Sequence, residues 1–136
     1  MKTELCAYSV DACRIAARLG VDRVELCASP AEGGVTPSYA TIERVAAIEG
    51  LDVSVMIRPR GGDFLYSDDE FETMLLDIER AREAGATGVV FGVLTSDGKV
   101  DKERTRRLVE ASEGMETTFH RAVDMTEDYK QAVEDI

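Results

Sequence analysis

The chain has 136 residues, 44% of them hydrophobic, with 16 basic against 27 acidic side chains and a formal charge of -11. That is enough for one domain with its own core and too little for two. The acidic balance excludes nucleic acid and anionic membrane surfaces as partners, since both demand a positive footprint, and no stretch approaches the roughly 18 apolar residues of a membrane span.

Met1-Lys2-Thr3 runs straight into a strand-like word, not into the apolar segment of a signal peptide. The three cysteines therefore read as reduced thiols of a cytoplasmic protein and not as a disulfide framework. The first strand is expected over residues 4–8. Ser9 caps a helix whose apolar stripe is Val10, Cys13, Ala16, Ala17 and Leu19, and Gly20 closes it. A second strand over 23–28 repeats the word ELCA of residues 4–7 at residues 25–28. After the loop "EGGVTPS", Thr36 is expected to cap the next helix with Pro37 in its first turn, where a missing N–H costs nothing. Ile42, Val45, Ala46 and Ile48 form its stripe and Gly50 ends it.

The third strand spans 53–57. Its helix opens with a capping box, Ser67-Asp68-Asp69-Glu70, continues through Phe71, Met74, Leu75, Ile78 and Ala81 at helical spacing, and stops at Gly85. A fourth strand over 88–93 leads through the turn Ser96-Asp97-Gly98 to a helix capped by Asp101 and ending near Gly114. The fifth strand spans 117–122, followed by a helix opening at Thr126. Glu134-Asp135-Ile136 carries no glycine stop signal, so the chain reads as cut within the fifth unit.

Strands alternating with helices at this spacing predict the α/β class with parallel βαβ units. An open doubly wound sheet and a (β/α) barrel compete. No Gly-rich dinucleotide fingerprint follows the first strand, which weakens the open sheet. Alternation then places Glu4 and Cys6, Glu25 and Cys27, Ser54, Met56 and Arg58, and Thr118 and His120 on one face. Leu5, Val24, Leu26, Val53, Val55, Ile57 and Phe119 fall on the other. A polar inner face toward the strand C-termini suits a TIM-type barrel with a site at its mouth, whereas an open sheet would be apolar on both faces. An eight-unit barrel takes about 250 residues, so this single domain, residues 1–136, would hold five of eight units.

The stretch "IRPRGGDFLYS" at 57–67 is the densest candidate for binding. Arg58 and Arg60 offer planar forks for a carboxylate or phosphate, and Gly61-Gly62 lets the backbone approach a ligand. The competing reading is an Arg–Asp cluster with Asp63 that pins a loop. The Gly-rich loop at 32–38 opens onto a helix N-terminus, whose free N–H groups suit an anion. His120, the only histidine, sits with Arg121 and Asp124 in "TFHRAVD". With Glu4 and Glu25, His120 and Asp124 are the candidate acids and bases for an enzyme acting on a small anionic metabolite. Neither a serine triad nor HExxH spacing is present.

Cys13 lies on a helix stripe and reads as packing. If the first two strands are neighbours, Cys6 and Cys27 point into the mouth at similar height, about 4.8 Å apart between strands. Two thiolates select a soft ion such as Cu(I) over Mg²⁺ or Ca²⁺, and zinc would want about four ligands. The competing reading is that both are small buried hydrophobes.

The words "ELCAYS", "DRVELCASPAEGGVTPS", "IRPRGGDFLYSDDE", "GVVFGVLTSDGKVD" and "TFHRAVDM", spread along the whole chain, together resemble the CutC family of copper homeostasis proteins. The resemblance implies a TIM-type barrel, a cytoplasmic location, and dimers or higher oligomers. It also implies Cu(I) held by the cysteines of the two strand words, here Cys6 and Cys27.

Overall fold

The computed structural model describes all 136 residues. Five βα units follow one another: β1 (Glu4–Ala7), α1 (Val10–Arg18), β2 (Arg23–Leu26), α2 (Tyr39–Ala46), β3 (Asp52–Met56), α3 (Asp68–Glu83), β4 (Gly88–Phe91), α4 (Lys102–Ala111), β5 (Glu116–Phe119) and α5 (Tyr129–Asp135). Short 3-10 turns stand at Pro30–Glu32 and Arg121–Met125. All strands are parallel, in the order β1-β2-β3-β4-β5. Spatial order equals chain order, with none of the reversal that creates the crevice of a doubly wound sheet. Right-handed crossovers then put every helix on one side, and α1 to α4 pack as successive neighbours. This is the α/β layering of TIM-type barrel units.

One register line crosses the whole sheet: Cys6, Glu25, Ser54, Gly88 and Glu116 are aligned partners. The two faces divide as alternation requires. Under the helices, Val24, Leu26, Val53, Val55, Ile57, Val89 and Phe91 pack against Cys13, Ile42, Val45, Phe71, Met74, Ile78 and Leu108 in one continuous core. Each such side chain contributes about 1.5–3 kcal/mol of burial. The opposite face carries a separate small cluster of Cys27, Met56 and Val90. The sheet is strongly curled toward this second face. Arg23 of β2 reaches across it to Glu116 of β5, while also pairing with Glu4 of β1.

Four details depart from the sequence reading. Leu19 is 78% exposed: α1 ends at Arg18, and Leu19 as its C-cap turns out of the stripe. Leu5 faces the helix side but is 45% exposed, because β1 is a sheet edge and no helix covers that end of the layer. Ser38, not Thr36, caps α2 by accepting from the Thr41 N–H. Thr36 is instead tied to the end of β3: its hydroxyl accepts from the Arg58 N–H at 2.9 Å, and its own N–H donates to the Arg58 carbonyl at 2.9 Å. Finally, Asp128 rather than Thr126 caps α5, since the 3-10 turn uses residues up to Met125 and the Thr126 hydroxyl bonds back to the Val123 carbonyl.

A candidate thiol site and an arginine–histidine hollow on the inner face

The ladders end in single bonds that anchor the residues just beyond the strands. Cys27 N–H donates to the Ala7 carbonyl at 2.9 Å, and His120 N–H to the Phe91 carbonyl at 2.9 Å. Both side chains are thereby fixed on the inner face near the C-terminal strand ends. Cys6 Sγ and Cys27 Sγ stand 3.9 Å apart as free thiols, Cys6 exposed and Cys27 buried. Glu25 Oε1 lies 3.8 Å from Cys27 Sγ, and the ligand atoms of Cys6, Glu25 and Cys27 all fall within 4.8 Å of one another. Metal–thiolate bonds run near about 2.3 Å, so two sulfurs at this separation can share one ion without moving their strands. The donor set fits a soft ion: two sulfurs, one carboxylate, and the Met56 side chain in contact with Cys27.

The surroundings keep the Cys27 proton in place. Burial first, then the neighbouring Cys6 and Glu25, push the Cys27 thiol far above its ordinary range. The Glu25 carboxyl is raised by burial and by Glu4. Cys6 pushes the Tyr8 hydroxyl up to about 12. Access to Cys27 depends on Gly34, which adopts φ +93°. A Cβ there would lie 3.2 Å from Cys27 Sγ and 3.9 Å from the Met56 methyl. The pair Gly33-Gly34 was legible as a tight loop. What it clears space for was not. The loop also does not run directly into a helix N-terminus, because Val35 returns to bridge with Ala28 before α2 begins.

The other candidate residues separate. Glu4 pairs with Arg23 at the opposite, N-terminal ends of the strands, so it does not line the mouth. Arg60 is committed to structure: it bonds Glu70 and Asp63 and the carbonyls of Gly61, Asp63 and Leu65. Gly61 has no room for a side chain because Glu32 fills the position of its missing Cβ. Gly62, at φ +85°, presents its carbonyl to Arg58. Asp124 is exposed on a neighbouring hollow with Gly62, Asp63 and Arg121.

Arg58 and His120 do come together. They share a hollow of about 250 Å³ with Glu25, Gly33, Met56, Phe64 and Arg121. Phe64 lies between them, its ring 5.0 Å from the His120 ring and 5.1 Å from the Arg58 guanidinium. Gly92 makes room for the imidazole, since a Cβ there would sit 2.5 Å from Cε1. Burial, then the Arg58 charge, lower the His120 pKa to about 4, so the ring is neutral at pH 7. Phe64 was missed because it belongs to a loop whose course is set only in the folded chain, and Arg121 because the fifth strand was read through residue 122, whereas β5 ends at Phe119 and Arg121 opens a 3-10 turn.

With this geometry in view, the comparisons with known proteins are decisive on family. The family model described as the CutC family matches residues 1–136. The chain belongs to the CutC family. A family protein CutC of Bacteroides thetaiotaomicron is 52% identical over 134 residues, covering 98% of this chain and 54% of that protein. One from Enterobacter sp. strain 638 is 47% identical, covering 95% of this chain and 52% of that protein. The chain thus spans about half the length of the curated relatives it matches. The crystal structure of a Streptococcus agalactiae CutC, named for copper homeostasis, superposes with a TM-score of 0.88 at 38% identity, covering 99% of this chain and 67% of that one. A 2,3-dimethylmalate lyase of the PEP mutase/isocitrate lyase superfamily superposes with a TM-score of 0.61 at 15% identity. It covers 98% of this chain and 53% of that one, a likeness of fold alone.

Proposed function

We propose that the chain binds copper(I) through Cys6 and Cys27, as a copper homeostasis protein working in the reducing environment of the cytoplasm. The observation that carries this reading is the pair of free sulfurs 3.9 Å apart, on adjacent strands, with Glu25 beside them. Thiolate donors favour a soft, monovalent ion over hard divalent ones. Binding must displace the Cys27 proton, and Glu25, the acceptor nearest that sulfur, is placed to receive it. Cys6 is the exposed member of the pair and is the point at which an ion first arrives. Family membership and the copper homeostasis name of the S. agalactiae relative support the same reading.

The test is a Cu(I) titration of the fully reduced chain against a chromogenic Cu(I) chelator. We expect one ion per chain, and loss of that site in the Cys6→Ser, Cys27→Ser double variant. Unchanged affinity in the double variant overturns the assignment.

A further inference from the structure

We propose that the hollow between Arg58, His120 and Arg121 is a binding site for a small carboxylate- or phosphate-bearing anion. The hollow shares Glu25 and Met56 with the thiol site as walls, but its donors, Arg58, His120 and Arg121, play no part in the copper reading. Three observations carry the proposal.

Arg58 is only 2% exposed, yet its side chain meets backbone carbonyls and no carboxylate. Its two terminal nitrogens donate to the carbonyls of Glu32, Gly34 and Gly62, at 2.7, 2.9 and 2.8 Å; its Nε–H has no acceptor, and the neutral, equally unpaired Tyr66 hydroxyl beside the guanidinium supplies no counter-charge. A buried guanidinium without a counter-charge is the costly form of a buried ion, and an anion in the adjoining hollow relieves that cost.

His120 repeats the pattern. Its Nδ1 accepts from the Ala122 N–H at 3.2 Å, so the neutral ring carries its proton on Nε2. Nε2 is buried and has no partner. An orphaned N–H at the wall of a polar hollow is a donor waiting for an acceptor.

Arg121 supplies the third donor. It is exposed and makes neither an ion pair nor a hydrogen bond within the chain, and its guanidinium lies over Gly33. A Cβ at Gly33, which stands at φ +76°, would come within 2.4 Å of an Arg121 nitrogen and push the guanidinium aside. Glu25 is the one acid on the wall, and its oxygen leans toward Cys27. Two arginines against one carboxylate make this hollow locally positive in a chain of formal charge -11, the arrangement that concentrates a small anion. At about 250 Å³ the hollow has room for a small acid.

The experiment is calorimetric titration of the reduced, metal-free chain at low chloride, with malonate in one arm and inorganic phosphate in the other. At least one probe should bind saturably at one site per chain, and the tighter arm assigns the anion class. Arg58→Ala risks unfolding the loops that Arg58 clamps, so Arg121→Ala, which breaks no internal bond, is the informative variant. It should weaken binding about tenfold or more, the worth of a charge-assisted hydrogen bond, and Arg121→Lys should restore part of it. The Cys6→Ser, Cys27→Ser variant should bind the anion as the parent does, which separates this site from the thiol pair. Absence of saturable binding for both probes, or parental affinity in Arg121→Ala, overturns the proposal.

Discussion

At His120, burial and the Arg58 charge act in the same direction, holding the imidazole pKa near about 4 against 6.5 for the free side chain. As pH falls below 6.5 the unfolded chain takes up this proton while the folded site does not. His120 therefore costs the fold stability between pH 6.5 and about 4, by about 3 kcal/mol in total. Glu25 acts with the opposite sign: its raised carboxyl takes up a proton first in the folded state, and so adds stability as pH falls. Urea denaturation at pH 7.0, 5.5 and 4.5 should show a steeper loss in the parent chain than in His120→Asn, whose Oδ1 keeps an acceptor for the Ala122 N–H. Parallel curves would contradict the burial of a neutral ring. The same scale explains why Glu4 was misplaced. Alternation assigns a residue to a face but not to a height, and two residues along a strand are about 6.6 Å. Cys6 reaches the thiol site while Glu4, on the same face, lies below it and is held by Arg23.

Among the elements, α3 is the most explicit in sequence and the most closely realised. Ser67 accepts from the Glu70 N–H, and Glu70 accepts from the Ser67 N–H at 2.8 Å, so each satisfies the other. Glu70 also holds Arg60, which ties the start of α3 to the loop after β3. Ser67→Ala should cost about 1 kcal/mol, in the range of N-cap losses, seen as a lower urea midpoint with an unchanged slope. No change in midpoint would mean that the Arg60–Glu70 pair holds the helix start alone. The starts of α2 and α5 were harder to read because two capping side chains compete in each segment, Thr36 with Ser38 and Thr126 with Asp128. Thr36 and Ser38 are both capable caps. Thr36 is withdrawn by Arg58, two residues past β3, a partner 22 residues away that local pattern does not disclose.

For the whole molecule, β1 and β5 are open edges of a curled sheet. Leu5, Tyr8, Met125, Tyr129 and Val133 are exposed near these edges or on the last helix. Unpaired strand edges template association with another chain. We expect light scattering coupled to size exclusion to give a mass above the 14.9 kDa of one chain. A monodisperse monomer that unfolds cooperatively would show instead that the edges are adequately protected by the net negative charge.

The order of elements, the parallel βαβ pattern and the two-faced strands were determined by local sequence, and the meeting of Cys6 with Cys27 needed only that β1 and β2 be neighbours. They follow from periodicity, caps and a twofold alternation that act over a few residues. The doubled ELCA is legible for that reason: equivalent words on adjacent strands present equivalent side chains. Only the tertiary structure decided which arginine is buried, which acid meets the thiols, and which loop roofs the site. Arg58 and Arg60 are chemically alike and two residues apart, yet one clamps three backbone carbonyls at the edge of the hollow and the other is spent on Glu70. That division is set by the curl of the sheet and the packing of the 32–36 loop against the end of β3, contacts between segments far apart in the chain.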